Sequence, residues 1–340
     1  MSSHESTLIV GAGPIGLACA ISARKRGGNP LLVDAGAIAD AIVRYPVGMV
    51  FFTTPERLEI GGHPLVTSGA KATREEALKY YRGVARSEAL RIRTYTRFAG
   101  AIRKNGRLEC RLVTRLAEER LSVDRLVLAT GYFDHPNRLA IPGEDLPHVS
   151  HYGAEPHLTS GLHVVIVGGK NSAVEQALAS YRAGASVTLV YRGPTLKPSV
   201  KYWLRPDFDN RVKAGEIDAR FDAVVERIDP DAVTIRIPSG TERLAADRVF
   251  LLTGYHPDFE LFESLGITLD PMTGRPALDP VTLETNVPGI HLAGSVTAGR
   301  MISEIFIENG RYDGEKIFGD PARGAEVERA YRRDRREVGE

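Results

Sequence analysis

The feature that most constrains this chain is a strand, glycine-turn and helix pattern that occurs twice. The first copy reads Thr7-Leu-Ile-Val-Gly11-Ala12-Gly13-Pro14-Ile15-Gly16-Leu-Ala. A short apolar run reads as a buried strand, three glycines follow at G-x-G-x-x-G spacing, and a helical pattern runs from Pro14 to Arg26. Gly11 permits the tight turn, Gly13 lets the backbone approach a pyrophosphate, and Gly16 lets helix and strand close up. The unpaired N–H groups at the helix start then face the phosphates. A second apolar run, Pro30 to Val33, ends in Asp34 beside Ala35. A carboxylate at that place accepts hydrogen bonds from the adenosine ribose hydroxyls.

The second copy is His163-Val-Val-Ile-Val-Gly168-Gly169-Lys170-Asn171-Ser172-Ala173, with a helix to about Ala183 and a strand from Ser186 to Tyr191. A second pair of segments repeats as well. Asp124 to Tyr132, containing Ala129-Thr130-Gly131, is restated by Asp247 to Tyr255. The repetition predicts an α/β chain with two Rossmann-like dinucleotide-binding domains, and 340 residues is ample for two cores. The copies differ in one informative place. The second strand runs into Tyr191-Arg192 and not into an acid. A guanidinium there suits a ribose 2′-phosphate, so this site should favour NADP(H) over NAD(H). Lys170 replaces the middle glycine. It either adds a positive charge near the phosphates or holds them further from the backbone. One site with the 2′-phosphate signature and one without suggest a tightly held FAD in the first domain and a diffusing NADPH in the second. The chemistry would be hydride transfer between them.

Composition closes off other classes. A formal net charge of +1 gives no reason to propose a nucleic-acid or membrane surface. No apolar run approaches the length of a membrane span, and the polar residues 1–6 lead straight into the first strand without a secretory pattern. Two cysteines, Cys19 and Cys110, make no disulfide framework, and both read as inert core residues. A cytoplasmic protein is expected. No His, Cys or Asp grouping has metal-ligand spacing. The segment Arg44 to Thr67 is rich in turn residues, and its apolar and aromatic content favours a packed, ligand-contacting loop over disorder. Thr73-Arg-Glu-Glu76 is a capping-box pattern for a helix to about Arg86, with short strands expected near 90–95, 99–104 and 108–112. The basic tail Tyr331 to Arg336 reads as a solvated helix or as a guide for an acidic electron-transfer protein.

Four stretches carry a family resemblance: Phe51 to Ile60, Gly168 to Glu175, Ser199-Val-Lys201-Tyr-Trp-Leu-Arg-Pro-Asp-Phe208 and Ile305-Phe-Ile-Glu-Asn-Gly-Arg311. Through them the chain resembles the bacillithiol-disulfide reductase (YpdA-type) family of thioredoxin-reductase-like FAD/NADPH flavoproteins. The resemblance implies an FAD domain in two segments, 1–155 and 257–340, with an NADPH domain, 156–256, inserted. It implies FAD contacts from Gly11, Ala12, Gly13, Pro14, Ile15, Gly16, Asp34, Ala35, Thr53, Thr54, Ala129, Thr130, Gly131, Gly294, Ser295, Met301 and Ile302. A helix beginning near Met301 would point its positive end at the flavin. NADPH contacts would come from Gly168, Gly169, Lys170, Asn171, Ser172, Ala173, Tyr191, Arg192 and Lys201. The family implies a homodimer and a small-molecule disulfide, bacillithiol disulfide, as electron acceptor.

Three departures from the pattern bear on mechanism. The Cys-x-x-Cys of thioredoxin reductases is replaced by His151-Tyr152-Gly153-Ala154, so His151 and Tyr152 are the candidate proton donors. The cysteine common after the proline of the first glycine loop is Ile15, where no thiolate can form. The usual Gly-Asp near the flavin ribityl reads Gly294-Ser295, which removes one acidic contact. A small electron-transfer protein is therefore an alternative acceptor, as in a ferredoxin- or flavodoxin-NADP reductase of the same fold. A flavin monooxygenase and a non-catalytic nucleotide sensor are the remaining readings.

Overall fold

The computed structural model describes residues 3–301, 304–320 and 324–334. The chain divides into two compact units. Within the described residues, unit one comprises 3–43, 50–135 and 255–334, and unit two comprises 44–49 and 136–254. Unit two thus begins ahead of the expected boundary at 156. The cause is apolar packing, because Leu139, Ile141, Leu146 and Val149 join the core of that unit.

In chain order unit one opens with β1 (Ser3–Val10), α1 (Pro14–Arg24), β2 (Leu31–Val33), α2 (Asp40–Val43), α3 (Pro55–Leu58) and α4 (Arg74–Ser87). It continues with β3 (Arg91–Arg93), β4 (Thr96–Lys104), β5 (Arg107–Thr114) and β6 (Glu118–Leu128). Unit two holds β7 (Val149–Ser150), β8 (His163–Val167), α5 (Asn171–Arg182), β9 (Ser186–Val190) and α6 (Arg205–Lys213). After these come β10 (Asp218–Arg220), β11 (Val224–Asp229), β12 (Ala232–Ile237), β13 (Gly240–Ala245) and β14 (Arg248–Leu251). The chain then returns to unit one with α7 (Phe259–Ser264), β15 (Ile290–Leu292), a 3₁₀ turn (Gly294–Ala298), α8 (Ile307–Gly310), α9 (Asp313–Phe318) and α10 (Gly324–Asp334).

The seven-stranded sheet of unit one has the order β3-β2-β1-β6-β5-β4, with β15 also on β6. β1 pairs in parallel along one edge of β6. The opposite edge of β6 is shared, its first half taking β5 antiparallel and its last residues taking β15 in parallel. Leu8, Val10, Leu126, Leu128, Ile290 and Leu292 supply one buried face, closed by Phe262 and Leu265 of and beside α7. In unit two the parallel order is β10-β9-β8-β14-β7. Its central strand is buried on both faces, so it reads as an unbroken apolar run. Val164 and Ile166 face α5, whereas Val165 and Val167 face the antiparallel sheet β11-β12-β13.

Local sequence signals explain the helix starts. Thr73 Oγ1 accepts from the Glu76 N–H at 3.2 Å, and Glu76 Oε2 accepts from the Thr73 N–H at 2.8 Å, completing the capping box of α4. Residues 50–67 form a packed loop containing α3. The buried Tyr81 hydroxyl donates to Leu58 O at 2.9 Å, and the Tyr80 hydroxyl donates to His63 O at 2.7 Å. The Arg311 guanidinium donates to Glu56 O and Glu59 O, which ties the loop to the end of α8. No helix starts at Met301. Gly299, at φ 59°, ends the 3₁₀ turn, Met301 is exposed, and the next helical turn begins at Ile307. Ile302 lies outside the described residues.

Candidate functional site

The two glycine loops have the same backbone plan and different linings. In unit one Gly11 N–H donates to Val33 O at 2.8 Å and Ala129 N–H donates to Val10 O at 2.8 Å, so the loop is strung between three strand ends. Gly11 has φ +106°, and a Cβ there would lie 2.3 Å from Ala129 O. A Cβ on Gly16 would lie 1.9 Å from Gly11 O, whereas a Cβ on Gly13 would meet nothing within 4 Å. Two glycines are therefore demanded by the fold itself. Gly13 faces open space, which a ligand rather than the fold accounts for. No side chain caps the start of α1, which is eleven residues long with Pro14 in its first turn.

Asp34 is the hub of this loop. Its Oδ2 accepts from Ala12 N–H at 2.7 Å and its Oδ1 from Gly36 N–H at 2.8 Å. Burial pushes its carboxyl above the ordinary range, and those two bonds pull it back. Ala35 is exposed beside it. Thr130 Oγ1, on the strand end facing the loop, is buried with no hydrogen-bond partner. Its counterpart in the repeat, Thr253, donates to Asn137 O at 2.6 Å. An orphaned hydroxyl, an open Gly13 and an uncapped helix start together fit the phosphates and ribityl hydroxyls of FAD. Alanine at Gly13 is expected to leave the fold intact while weakening FAD retention about tenfold or more, since each charge-assisted bond lost at a phosphate is worth roughly 1.5–3 kcal/mol. Flavin absorbance after dialysis, set beside the thermal midpoint, separates the two effects.

The remaining unit-one candidates are distributed as follows. Ile15 touches both Gly294 and Gly310: a Cβ on Gly294 would lie 3.0 Å from Ile15 Cγ1, and one on Gly310 would lie 2.7 Å from Ile15 Cδ1. The side chain at position 15 is thus a wedge between the 3₁₀ turn and α8. Gly294 N–H donates to Asp313 Oδ2 at 2.6 Å. A carboxylate does serve this turn, from α9 and not from position 295. Ser295 is half-buried, and Gly131, at φ +69°, opens to free space. Thr53 is buried and Thr54 precedes α3 as an exposed residue. Met301 shares none of these contacts.

In unit two Gly168 N–H donates to Val190 O at 3.0 Å, and a Cβ on Gly168 would lie 2.6 Å from Leu252 O, as at Gly11. Lys170 precedes α5 at the middle-glycine place, and Ala173 fills the third. Ser172 is half-buried in the first turn of α5. Asn171 Oδ1 accepts from Lys201 N–H at 2.7 Å and its amide donates to Ser199 O at 3.2 Å, clamping that segment to the helix start. Lys201 itself is buried and its ammonium pairs with Glu175, so its charge is engaged inside the unit. Strand register gives Tyr191, and not Arg192, the place in unit two that Asp34 holds in unit one. Val33 and Val190 hold matching places beside Val10 and Val167. Asp34 N–H donates to Arg93 O and Tyr191 N–H to Arg220 O in the same way. Arg192 lies one residue further on and is exposed.

His151 and Tyr152 belong to a separate cluster in unit two. His151 Nε2 is 3.4 Å from Oε1 of the buried Glu144, which also accepts from the Leu139 and Ala140 N–H groups at 2.8 Å each. Burial holds His151 below the usual histidine range, with Glu144 acting the other way. Arg44 lies over the Tyr152 ring at 5.7 Å. Burial pushes the Cys110 thiol up to about 12 and the fully buried Cys19 thiol well above its ordinary value. Among the described residues no helix is long and apolar enough to cross a membrane, and no group of His, Cys, Asp and Glu is arranged to hold a metal. Sequence reasoning missed Asp313 and Glu175. Asp313 looks like an ordinary first-turn acid, and nothing nearby in sequence points to Gly294.

Residues 8–294 match the family model "Pyridine nucleotide-disulphide oxidoreductase". The chain is 39% identical over 323 residues to the bacilliredoxin reductase Bdr of Bacillus subtilis, covering 94% of this chain and 98% of that one. Its structure is similar to that of the bacillithiol disulfide reductase Bdr (YpdA) from Bacillus cereus, with TM-score 0.91 and 38% identity over 97% of this chain and 100% of the other. Thioredoxin reductase of T. acidophilum shares the fold at TM-score 0.73 and 20% identity, over 93% and 97% of the two chains. Two nucleotide loops on one thioredoxin-reductase-like frame, together with these likenesses, are enough: the chain is an oxidoreductase of the pyridine nucleotide-disulphide family and belongs to its bacillithiol-disulfide reductase (YpdA-type) branch, whose members depend on FAD and NAD(P)H.

Proposed function

We propose that unit one binds FAD, that unit two binds NADPH, and that the chain reduces a low-molecular-weight thiol disulfide of the bacillithiol type. The balance is NADPH, a proton and one disulfide giving NADP⁺ and two thiols. The observation that carries the reading is the contrast between two loops of one backbone plan. One is lined by a half-buried carboxylate and the other by cations. The name of the Bacillus cereus relative, a bacillithiol disulfide reductase, supports the choice of acceptor, whereas the Bacillus subtilis relative is named for bacilliredoxin. When bound, FAD supplies the two-electron relay between nicotinamide and disulfide.

This chain's own residues then do the following. The α1 N-terminus and Thr130 would hold phosphate and hydroxyl groups of FAD, and Asp34, which orders the loop, would accept from its ribose. Ile15 shapes the wall beside Gly294 but offers no thiol, and both cysteines are buried thiols of raised pKa. The acceptor disulfide is therefore reduced without a mixed disulfide to the enzyme. His151, half-buried beside Glu144, is our choice of proton donor, with Tyr152 next to it. We take the enzyme to be a cytoplasmic homodimer. Arg192→Ala is expected to raise the KM for NADPH about 10- to 100-fold, the worth of one charge-assisted phosphate contact, with NADH kinetics unchanged.

Anaerobic stopped-flow tests the acceptor. The NADPH-reduced protein is mixed with bacillithiol disulfide and, separately, with oxidised ferredoxin or flavodoxin. Fast reoxidation by the disulfide supports the reading. Reoxidation by the protein carrier alone would make the chain an electron-transfer reductase on this fold.

A further inference from the structure

We propose that Lys201 and Glu175 form a pin that fastens residues 197–203 onto the nucleotide loop of unit two, so that Lys201 acts as a positioning residue and not as a phosphate ligand. The inference rests on unit two being the NADPH site and says how its loop is held in shape.

Residues 197–201 meet the loop and the start of α5 at three levels. Lys197 N–H donates to Gly169 O at 3.0 Å. Asn171 Oδ1 accepts from Lys201 N–H at 2.7 Å, while the Asn171 amide donates to Ser199 O at 3.2 Å. One turn further along α5, Glu175 Oε1 accepts from the Lys201 ammonium. Only 8% of the lysine side chain and 15% of the glutamate side chain are exposed. The ammonium also lies 5.7 Å from the ring centre of Trp203, the single tryptophan of the chain. Its charge is thus committed to a carboxylate and a ring face inside the unit.

Unit one has no equivalent. Counted from the first glycine of each loop, Pro14 matches Asn171 and Ala18 matches Glu175, and neither side chain carries a polar atom. The shared backbone plan therefore does not demand the pin, and its presence ties it to what unit two alone carries. No side chain caps the start of α5. Asn171, a residue type that readily caps helix starts, is engaged with residues 199–201. The first N–H groups of α5 are left for a ligand, and the segment bordering them is fixed. Removing one member of a largely buried ion pair strands the other charge, whereas replacing both by apolar side chains of similar volume is often tolerated. A direct phosphate ligand behaves differently, because no second substitution inside the protein replaces the lost contact.

The test is calorimetric titration of the full-length flavin-loaded protein with NADP⁺ at low and high salt. It uses wild type, Lys201→Met, Glu175→Leu and the double variant Lys201→Met/Glu175→Leu. Each single variant is expected to weaken NADP⁺ about tenfold, a coupling ordinary for touching charged residues, and the double variant to return to within about threefold of wild type. The salt dependence of Lys201→Met should match that of wild type, because no charge contact to the ligand is lost. Acrylamide quenching of Trp203 fluorescence should rise in the single variants, as the segment loosens, and fall back in the double variant. A double variant as weak as Lys201→Met overturns the proposal, and so does a flattened salt dependence in Lys201→Met. Trp203 quenching in Lys201→Met equal to wild type also overturns it, since the segment would then hold without the pin. A wild type that does not bind NADP⁺ overturns the reading of unit two itself, and the proposal with it.

Discussion

Alanine at Gly16 is expected to lower the unfolding free energy by about 3 kcal/mol or more, the upper end of what overpacking costs, and to abolish flavin binding. The added carbon would stand 1.9 Å from the carbonyl oxygen of Gly11. The oxygen is a backbone atom and the added carbon is bonded directly to backbone, so neither can rotate away. Gly11 is fixed by its bond to Val33 O, and α1 is buried along Gly16 to Ala23. Relief requires the helix to back off from the strand end, which moves the N–H groups away from any phosphate they bind. Urea unfolding and the flavin-to-protein absorbance ratio measure the two losses. A variant that keeps both its midpoint and its flavin would refute the close-approach argument. The contrast with Gly13, two positions into the same turn, makes the test specific to position.

The second large effect concerns Asp313, fully enclosed beneath the 3₁₀ turn. Burial pushes its carboxyl up to about 7, while the Gly294 N–H and the Lys316 ammonium act the other way and Glu328 adds to the rise. An unfolded chain would ionise this group near pH 4. Because the folded value is raised, the contribution to stability is full below about pH 4 and is lost as pH rises through about 7. Asp313→Asn keeps an oxygen for Gly294 N–H and cannot ionise. The stability of wild type relative to this variant should therefore fall by about 1.4 kcal/mol per pH unit between roughly pH 4.5 and 6.5, then level off. Urea unfolding of both proteins across that range gives the slope directly. A flat difference would mean that the native carboxyl ionises like an exposed one.

Much of the fold was legible because its signals are local. The glycine turns, the capping box of Thr73 and Glu76, and the paired Thr-Gly-Tyr strand ends each depend on residues a few positions apart. The parts that escaped depend on partners far away in sequence. That Asp313 serves Gly294, that Lys201 is neutralised by Glu175, and that Tyr80, Tyr81 and Arg311 hold the 50–67 loop are all tertiary facts. Counting residues from the glycines pointed to Arg192 as the partner of Asp34. Strand register puts the match one residue earlier, at Tyr191, because Val10 pairs with Val33 and Val167 with Val190 at the same separation in sequence. The helix expected near Met301 failed for another reason. Gly299 takes a backbone conformation that ends the turn, and no spacing rule reports that.

The shared edge of β6 bears on how the chain reaches this state during synthesis. Leu126, Val127 and Leu128 pair with Ile290, His291 and Leu292, and residues 136–254 of unit two lie between them in sequence. At ordinary translation speeds the ribosome needs on the order of ten seconds to deliver that strand. Through this interval the nascent first unit carries an apolar, half-paired strand edge, the kind of surface that recruits other chains. The main body of unit two, continuous from 136 to 254, can meanwhile complete its own sheet. The interval between the two halves of unit one, rather than either core by itself, is then the stage of biogenesis most exposed to aggregation, and the one where a chaperone would act.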